Sequence, residues 1–336
     1  HAGKQYASAI KKYKEDNGLF DFTDMLEQYN GQLDVDVCIF DEAQDLSSLQ
    51  YKMAIQLSKS ADKVYIAGDD DQAIFGWAGA DVSKFLSLKG NRTILPNSYR
   101  IPAKIHKLSS SVVKRINFRY KKEWYPRQEK GDVEWVSHEE ELNLSRKGTW
   151  MLLSRSKFLL SRMKRICRQQ GFGYKMYGRC STDNEFTRAI ISWEKLRKDS
   201  KLSLSEAKNL IRFIPQNINL KTLESYGMKD FGFGQGAKNH DWMTVLREIP
   251  PEEREYLRAC LRNGEKFGEE PRITISTIHQ VKGGEADNVA LVTDMGKLSW
   301  MNSASDEEIR VWYVAITRAR KNLFLIRPRT IKFFDL

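Results

Sequence analysis

Two short acidic clusters carry the residue types that chemistry on a phosphate requires. The first, Asp41-Glu42-Ala43-Gln44-Asp45, follows the apolar run Val37-Cys38-Ile39-Phe40; the second, Gly68-Asp69-Asp70-Asp71-Gln72, follows Val64-Tyr65-Ile66-Ala67. A carboxylate in such a place can hold a hard divalent cation through oxygen, and a second one beside it can take a proton from a water. The amide of Gln72 can touch a phosphate oxygen without adding charge. The plainer reading of Asp or Glu after a strand is a helix cap; two such clusters in tandem, one helix apart, favour a site.

The apolar runs that must position these clusters are short and rich in β-branched or aromatic residues. That pattern predicts buried parallel strands, with the clusters at the carboxyl rim of a sheet, where ligands bind in doubly wound α/β folds. A helix is predicted between them, Ser47–Ser60. Upstream, a helical pattern runs from Tyr6 to Tyr13, then Asp21 or Thr23 caps an amphipathic helix with Phe22, Met25, Leu26 and Tyr29 inward. Downstream, the expectation is a helix near Val82–Leu88, a strand at Arg92–Leu95, a basic helix and loop over 103–130, strands at Val133–Val136 and Thr149–Leu153, and a basic helix at Lys157–Gln169. Residues 202–267 read as mostly helical, with Pro250-Pro251 restarting a helix and Gly232, Gly234 and Gly236 marking a loop. Strands follow at Arg272–His279, Val289–Val292 and Leu323–Ile326.

The chain has 336 residues, 41% hydrophobic and 29% charged, which suits a globular protein with two domains. No apolar run approaches the roughly 20 residues of a membrane span, and no signal-like segment is present, so the expectation is a cytoplasmic protein that does not engage a membrane. Four scattered cysteines form no C-x-x-C pair, which speaks against a zinc site or disulfide framework. The net charge of +11 is unevenly spread: residues 104–130 hold nine Lys/Arg against two Glu, and residues 146–179 hold ten with no acid. A charge run is usually a solvated face, but this segregation points to a polyanion such as nucleic acid.

DEAQD followed by GDDDQAIFGWAGA resembles the second and third motifs of superfamily 1 DNA helicases of the UvrD/Rep/PcrA type. Phe20–Leu26 resembles the DFxDLL segment of that family. LPNSYR (95–100) is similar to its fourth motif, LxxNYR, with Ser98 inserted between Asn97 and Tyr99. Residues 277–286, TIHQVKGGEA, resemble its fifth, T-x-H-x-x-K-G-L-E, with Gly284 in place of Leu. Residues 307–320 resemble its sixth, R-x-x-Y-V-x-I-T-R-A. The resemblance spans nearly the whole chain, the stretch 202–267 least.

The resemblance implies P-loop NTPase (RecA-like) parallel sheets: residues 1–96 as the C-terminal part of a first RecA-like domain, 97–180 and 268–336 as two segments of a second, and 181–267 as a helical insert. It implies ATP and Mg²⁺ as cofactors and single-stranded DNA and ss/ds DNA junctions as partners. The implied activity is ATP-driven 3′–5′ movement, with repair and replication as its settings. Asp41 would be the Mg²⁺ ligand, Glu42 the base that orients water, Gln72 the γ-phosphate sensor, and Arg100 and Arg318 arginine fingers reaching the nucleotide when two lobes close. Glu285 would bond the ribose. Tyr99 would stack on adenine or pack in a core; Trp77 would stack on a DNA base or pack in a core; Thr277 and His279 would contact the DNA backbone. No Walker A loop, G-x-x-x-x-G-K-[ST], occurs in the sequence. The chain opens at His1, and the expectation is that an N-terminal portion carrying that loop belongs with it. The alternative is a nucleic-acid-binding fragment without ATPase activity, or one half of a split helicase.

Overall fold

The apolar runs that precede the acidic clusters both form strands, and the two pair in parallel. The protein is seen in a computed structural model that describes residues 2–29, 31, 34–216, 218, 220 and 223–336. Residue 1 and four residues of the expected insert (217, 219, 221 and 222) therefore lie outside the described residues.

In chain order, helices α1 (Ala2–Asn17) and α2 (Phe22–Gln28) lead to β1 (Val37–Phe40), α3 (Ser48–Leu57), β2 (Lys63–Ile66) and α4 (Val82–Ser87). Then come β3 (Asn97–Pro102), α5 (Ala103–Val113), β4 (Tyr125–Arg127), β5 (Asp132–Val136), β6 (Trp150–Ser154) and α6 (Leu160–Gln170). A hairpin of β7 (Lys175–Met176) and β8 (Arg179–Cys180) precedes the helices α7 (Glu185–Arg197), α8 (Leu204–Ile211), α9 (Trp242–Val245) and α10 (Pro251–Arg262). The chain ends through β9 (Ile273–Thr277), β10 (Ala286–Val292), α11 (Lys297–Met301), α12 (Asp306–Ile316) and β11 (Ala319–Ile326).

These elements gather into two compact units. The first comprises His1–Pro96, Ser111–Trp124 and Ala304–Val314; the second comprises Asn97–Ser110, Tyr125–Ser303 and Ala315–Leu336. The second unit is built on a seven-stranded sheet in the order β5-β11-β10-β6-β9-β7-β8, parallel except for the β7–β8 hairpin. Its central strands read as continuous apolar runs because both faces are covered. Leu152, Ile273, Ile275 and Leu325 are fully buried, and Trp150 stacks on Phe324 with ring centroids 5.4 Å apart. Pro251 opens α10 from its first turn, where a missing N–H costs nothing. This is the mixed α/β architecture, with a mostly parallel sheet, expected of a RecA-like domain.

The first unit departs from expectation in burial. β1 and β2 pair in register from Val37–Lys63 to Phe40–Ile66, yet Ile39, Tyr65, Val64 and Ile66 are all exposed, Ile39 by 71%. The predicted burial is met at Cys38 and in part at Phe40, but no described residue buries the side chains of Ile39, Val64, Tyr65 or Ile66. α2 has the predicted Asp21 cap, with Asp21 Oδ1 accepting from the N–H of Thr23 and Asp24. Its expected inward face is mostly open: Phe22 is 85% exposed and Met25 and Tyr29 are exposed too, while Leu26 is half-buried. The strand predicted at 92–95 is absent; that stretch has no regular structure, and Arg92 instead donates to the carbonyls of Leu86 and Leu88 at the end of α4. The β structure begins at Asn97 and runs through the LPNSYR motif itself.

Candidate active site

The rim of β1 and β2 forms a continuous polar network within the first unit. Asp41 directly follows β1, is exposed, and accepts the Glu42 N–H on Oδ1 at 2.8 Å. Glu42 sits at φ 51°, ψ 36°, a left-handed conformation that costs a non-glycine residue about 1–2 kcal/mol. Such strain persists where the surroundings fix it. Part of that fixing comes from Gln44, fully buried, whose Nε2 donates to Glu42 Oε2 at 2.5 Å and, more weakly, to Asp45 Oδ2 at 3.4 Å. The Gln44 Oε1 accepts the Asp69 N–H at 2.9 Å. Gly68 is required for this approach, because a Cβ there would lie 2.5 Å from Gln44 Oε1 and 2.9 Å from the Phe85 ring.

Gln72 Nε2 donates to Asp69 Oδ2 at 2.7 Å, so the side chain expected to sense a phosphate is held against the same rim. The three aspartates of this loop have ligand atoms within 4.8 Å of one another, a spacing a cation could use. A protein cation already sits among them: Lys122 Nζ lies 2.9 Å from Asp69, 2.5 Å from Asp70 and 2.9 Å from Asp71. Arg119 adds a bidentate pair to Asp71 at 2.7 and 2.6 Å, and the Tyr120 N–H donates to Asp70. This cluster therefore does not fit a metal. Asp41 does, because its Oδ2 makes no hydrogen bond or ion pair among the described residues and a hard cation takes such an oxygen.

Burial opposes ionisation of Asp69, but the Lys122 charge and the bonds from Gln72 and Lys122 outweigh it and hold the carboxyl below its ordinary value. Arg310, at 4% exposure, donates through Nε to the Asp70 carbonyl at 2.8 Å and through Nη2 to the Phe118 carbonyl. Lys122, Arg119 and Arg310 are supports of the Asp69–Asp71 loop that sequence reasoning missed. The only available signal was Arg310 as the first residue of the sixth motif; nothing local marks Lys122 as a partner of residues fifty positions earlier.

Trp77 lies within a short 3₁₀ turn, Gly76–Ala78, and is 72% exposed, meeting Phe75 edge-on at 6.4 Å, so it does not belong to a core. The other expected site residues lie in the second unit. Tyr99 is 90% exposed, which also removes the core reading for it. Ser98, the inserted residue, accepts the N–H of Arg100 and Ile101 on its Oγ within β3. Arg100 Nη1 lies 3.9 Å from Glu285, whose carboxylate also takes a bond from Arg320 at 3.1 Å. The Arg100 Nε is buried without a hydrogen-bond partner, an orphaned donor that an anion would satisfy.

Arg318 is buried, with Nη1 on the Gly284 carbonyl at 3.1 Å and Nη2 on Thr317 Oγ1 at 3.2 Å. At Gly284 a Cβ would meet Met151 at 2.9 Å, so Met151 fills the room that a leucine would take. Thr277 and Ser276 both donate to Gln280 Oε1 at 3.2 Å just past β9. Burial, and then the nearby Arg155, lower the His279 pKa to about 4, so its imidazole is neutral near pH 7.

The segregated basic charge is less open than its distribution suggests. Besides Arg119 and Lys122, Lys104 pairs with Asp132, Arg162 and Arg165 with Glu139, Arg168 with Glu253 and Lys175 with Glu270. Many positive side chains of 104–130 and 146–179 thus neutralise acids elsewhere in the fold, a pairing that a sequence count cannot register.

A family profile described as UvrD-like helicase C-terminal domain matches residues 2–330. The chain is similar to an ATP-dependent DNA helicase Rep of Buchnera aphidicola, 26% identical over 148 residues, covering 38% of this chain and 22% of that protein. It is 38% identical over 92 residues to DNA helicase II of Escherichia coli, covering 26% of this chain and 13% of the relative. It is 26% identical over 333 residues to F-box DNA helicase protein 1 of Schizosaccharomyces pombe, covering 91% of this chain and 35% of that protein. The chain spans about a third or less of the length of these relatives.

Proposed function

The chain belongs to the UvrD-like helicase C-terminal domain family, and from that premise we propose that it is the later part of an ATP-driven helicase that moves 3′–5′ on single-stranded DNA. The observation that carries this reading is the rim of β1 and β2, where Asp41 and Glu42 stand beside a buried amide network that ends at Gln72. In this reading the first unit is part of one RecA-like domain. The second unit is another, with residues 181–267 as its insert, and a portion carrying a P-loop joins them to cradle the β- and γ-phosphates.

Asp41 offers its free oxygen to Mg²⁺, which when bound would offset phosphate charge. Glu42 orients a water and accepts its proton as the oxygen bonds to the γ-phosphorus and the bridging bond to ADP breaks. Gln72 registers the γ-phosphate, and Arg100 and Arg318 give guanidinium forks to phosphoryl oxygens. Tyr99 supplies a face for adenine, and Glu285 accepts from the ribose. Trp77 stacks on a base, with Thr277 and the neutral His279 bonding the strand. The cofactors are then ATP and Mg²⁺, and the partners single-stranded DNA and ss/ds junctions.

Strand displacement tests this. The chain joined to a P-loop-bearing portion is expected to unwind a duplex with a 3′ single-stranded tail in the presence of ATP, and not one with a 5′ tail. Displacement from neither substrate, with binding to single strands intact, would instead support the nucleic-acid-binding alternative.

A further inference from the structure

We propose that Gln44 is a positioning residue that couples Glu42 to the loop bearing Gln72, so that the group orienting water and the group registering phosphate move as one. The inference rests on the hydrolytic reading given above and deepens it. Gln44 is fully buried, and its amide orientation is fixed by its partners. Nε2 faces the Glu42 and Asp45 carboxylates at 2.5 and 3.4 Å, and Oε1 faces the Asp69 N–H at 2.9 Å. Turning the amide over would set oxygen against carboxylate and N–H against N–H, so only one orientation satisfies both ends.

The path continues without a gap. Asp69 carries the peptide N–H that Gln44 reads, and its carboxylate takes the Gln72 amide at 2.7 Å and the Asp71 N–H at 3.2 Å. Gly68 is the residue that permits the Gln44 carbonyl to approach, since a Cβ would stand 2.5 Å from it. Glu42, meanwhile, is held in a left-handed backbone conformation that leaves its carboxylate direction dependent on side-chain bonds. A displacement of the β2 rim is thus transmitted to Glu42 through one rigid amide. A plain structural role would need only bulk at this position; the paired donor and acceptor indicate alignment.

The test uses Gln44→Met, which keeps length and removes both bonds, in the chain joined to a P-loop-bearing portion. The expected result is a fall of about 10–100-fold in kcat for ATP hydrolysis, the scale of a modest misplacement at a reacting centre, with KM for ATP within about twofold of wild type. Gly68→Ala, which displaces Gln44 without altering it, is expected to reproduce the split and to be non-additive with Gln44→Met. Should Gln44→Met fold poorly in the joined protein, amide exchange on this chain reads the same bond: exchange at Asp69 is expected to accelerate in either variant. Unchanged kcat in Gln44→Met, or unchanged exchange at Asp69, would overturn the proposal. Glu42→Gln separates the two levels. If it abolishes hydrolysis while Gln44→Met leaves kcat unchanged, the coupling fails and the hydrolytic reading stands; if it leaves hydrolysis intact, both fail.

Discussion

Lys122 shows how a loop of three consecutive aspartates can be held in place without a metal. Its ammonium lies within hydrogen-bonding reach of Asp69, Asp70 and Asp71 and is largely buried with them. Removing one partner of a buried ionic cluster leaves uncompensated charge, at a cost of about 3–5 kcal/mol. Lys122→Met is expected to destabilise the first unit by that order, read by chemical denaturation, whereas Lys107→Met on the exposed face of α5 should change stability by less than about 0.5 kcal/mol.

The same pair sets an acid limb. Burial disfavours the Asp69 anion, but Lys122 and Gln72 hold its folded pKa below the ordinary value, so the unfolded chain binds more protons. Its stabilisation is full above about pH 4, the unfolded value, and is lost as pH falls through the depressed folded pKa. Denaturation between pH 5 and 2 should show this loss in wild type and a flatter limb in Lys122→Met. His279 titrates in the other unit: its folded pKa is lowered to about 4, so the neutral form is favoured and stability falls as pH drops below the unfolded value near 6.5. An NMR titration should place its midpoint near 4; a midpoint near 6.5 would contradict the burial that causes the shift.

At the scale of elements, β1 and β2 are strands by composition and pairing but not by burial. A two-stranded pair has little stability of its own, and five of its apolar side chains, Val37, Ile39, Val64, Tyr65 and Ile66, are exposed. Amide exchange across β1 and β2 is therefore expected to be much faster than across β6, β10 and β11. Ile39→Ser should shift the stability of this chain by less than about 0.5 kcal/mol, against roughly 2–5 kcal/mol for Leu152→Ala. The sequence made many elements legible: the Pro250-Pro251 start of α10, the Asp21 cap and the apolar runs of β6, β9, β10 and β11 all correspond to what forms.

Where reading failed, the cause was physical. Apolar content at Val37–Phe40 or in α2 records a face suited to burial, not whether a covering element is present. Arg92–Leu95 has strand-like residues, but its arginine caps α4 instead. The acidic motifs were legible as a rim; the cations that hold them, Lys122, Arg119 and Arg310, were not, because their link to Asp69–Asp71 is made only by the fold.

For the whole molecule, the chain threads each unit in three separate segments, so the sixth-motif helix α12 contributes to the first unit through Arg310 and then leads into the second. The two compact units are thus interleaved along the sequence. The internal pairing of Arg162, Arg165, Arg168 and Lys175 leaves fewer of the basic side chains for a polyanion, so affinity for single strands should fall with salt less steeply than a count of lysines and arginines implies. The central claim is that the β1–β2 rim hydrolyses ATP in response to DNA. It is tested most directly by the rate of ATP hydrolysis of the chain joined to a P-loop-bearing portion, measured as single-stranded DNA is added. The account predicts a rate that rises with DNA and falls by at least about a hundredfold in Glu42→Gln; a rate indifferent to DNA, or equal in Glu42→Gln and wild type, would contradict it.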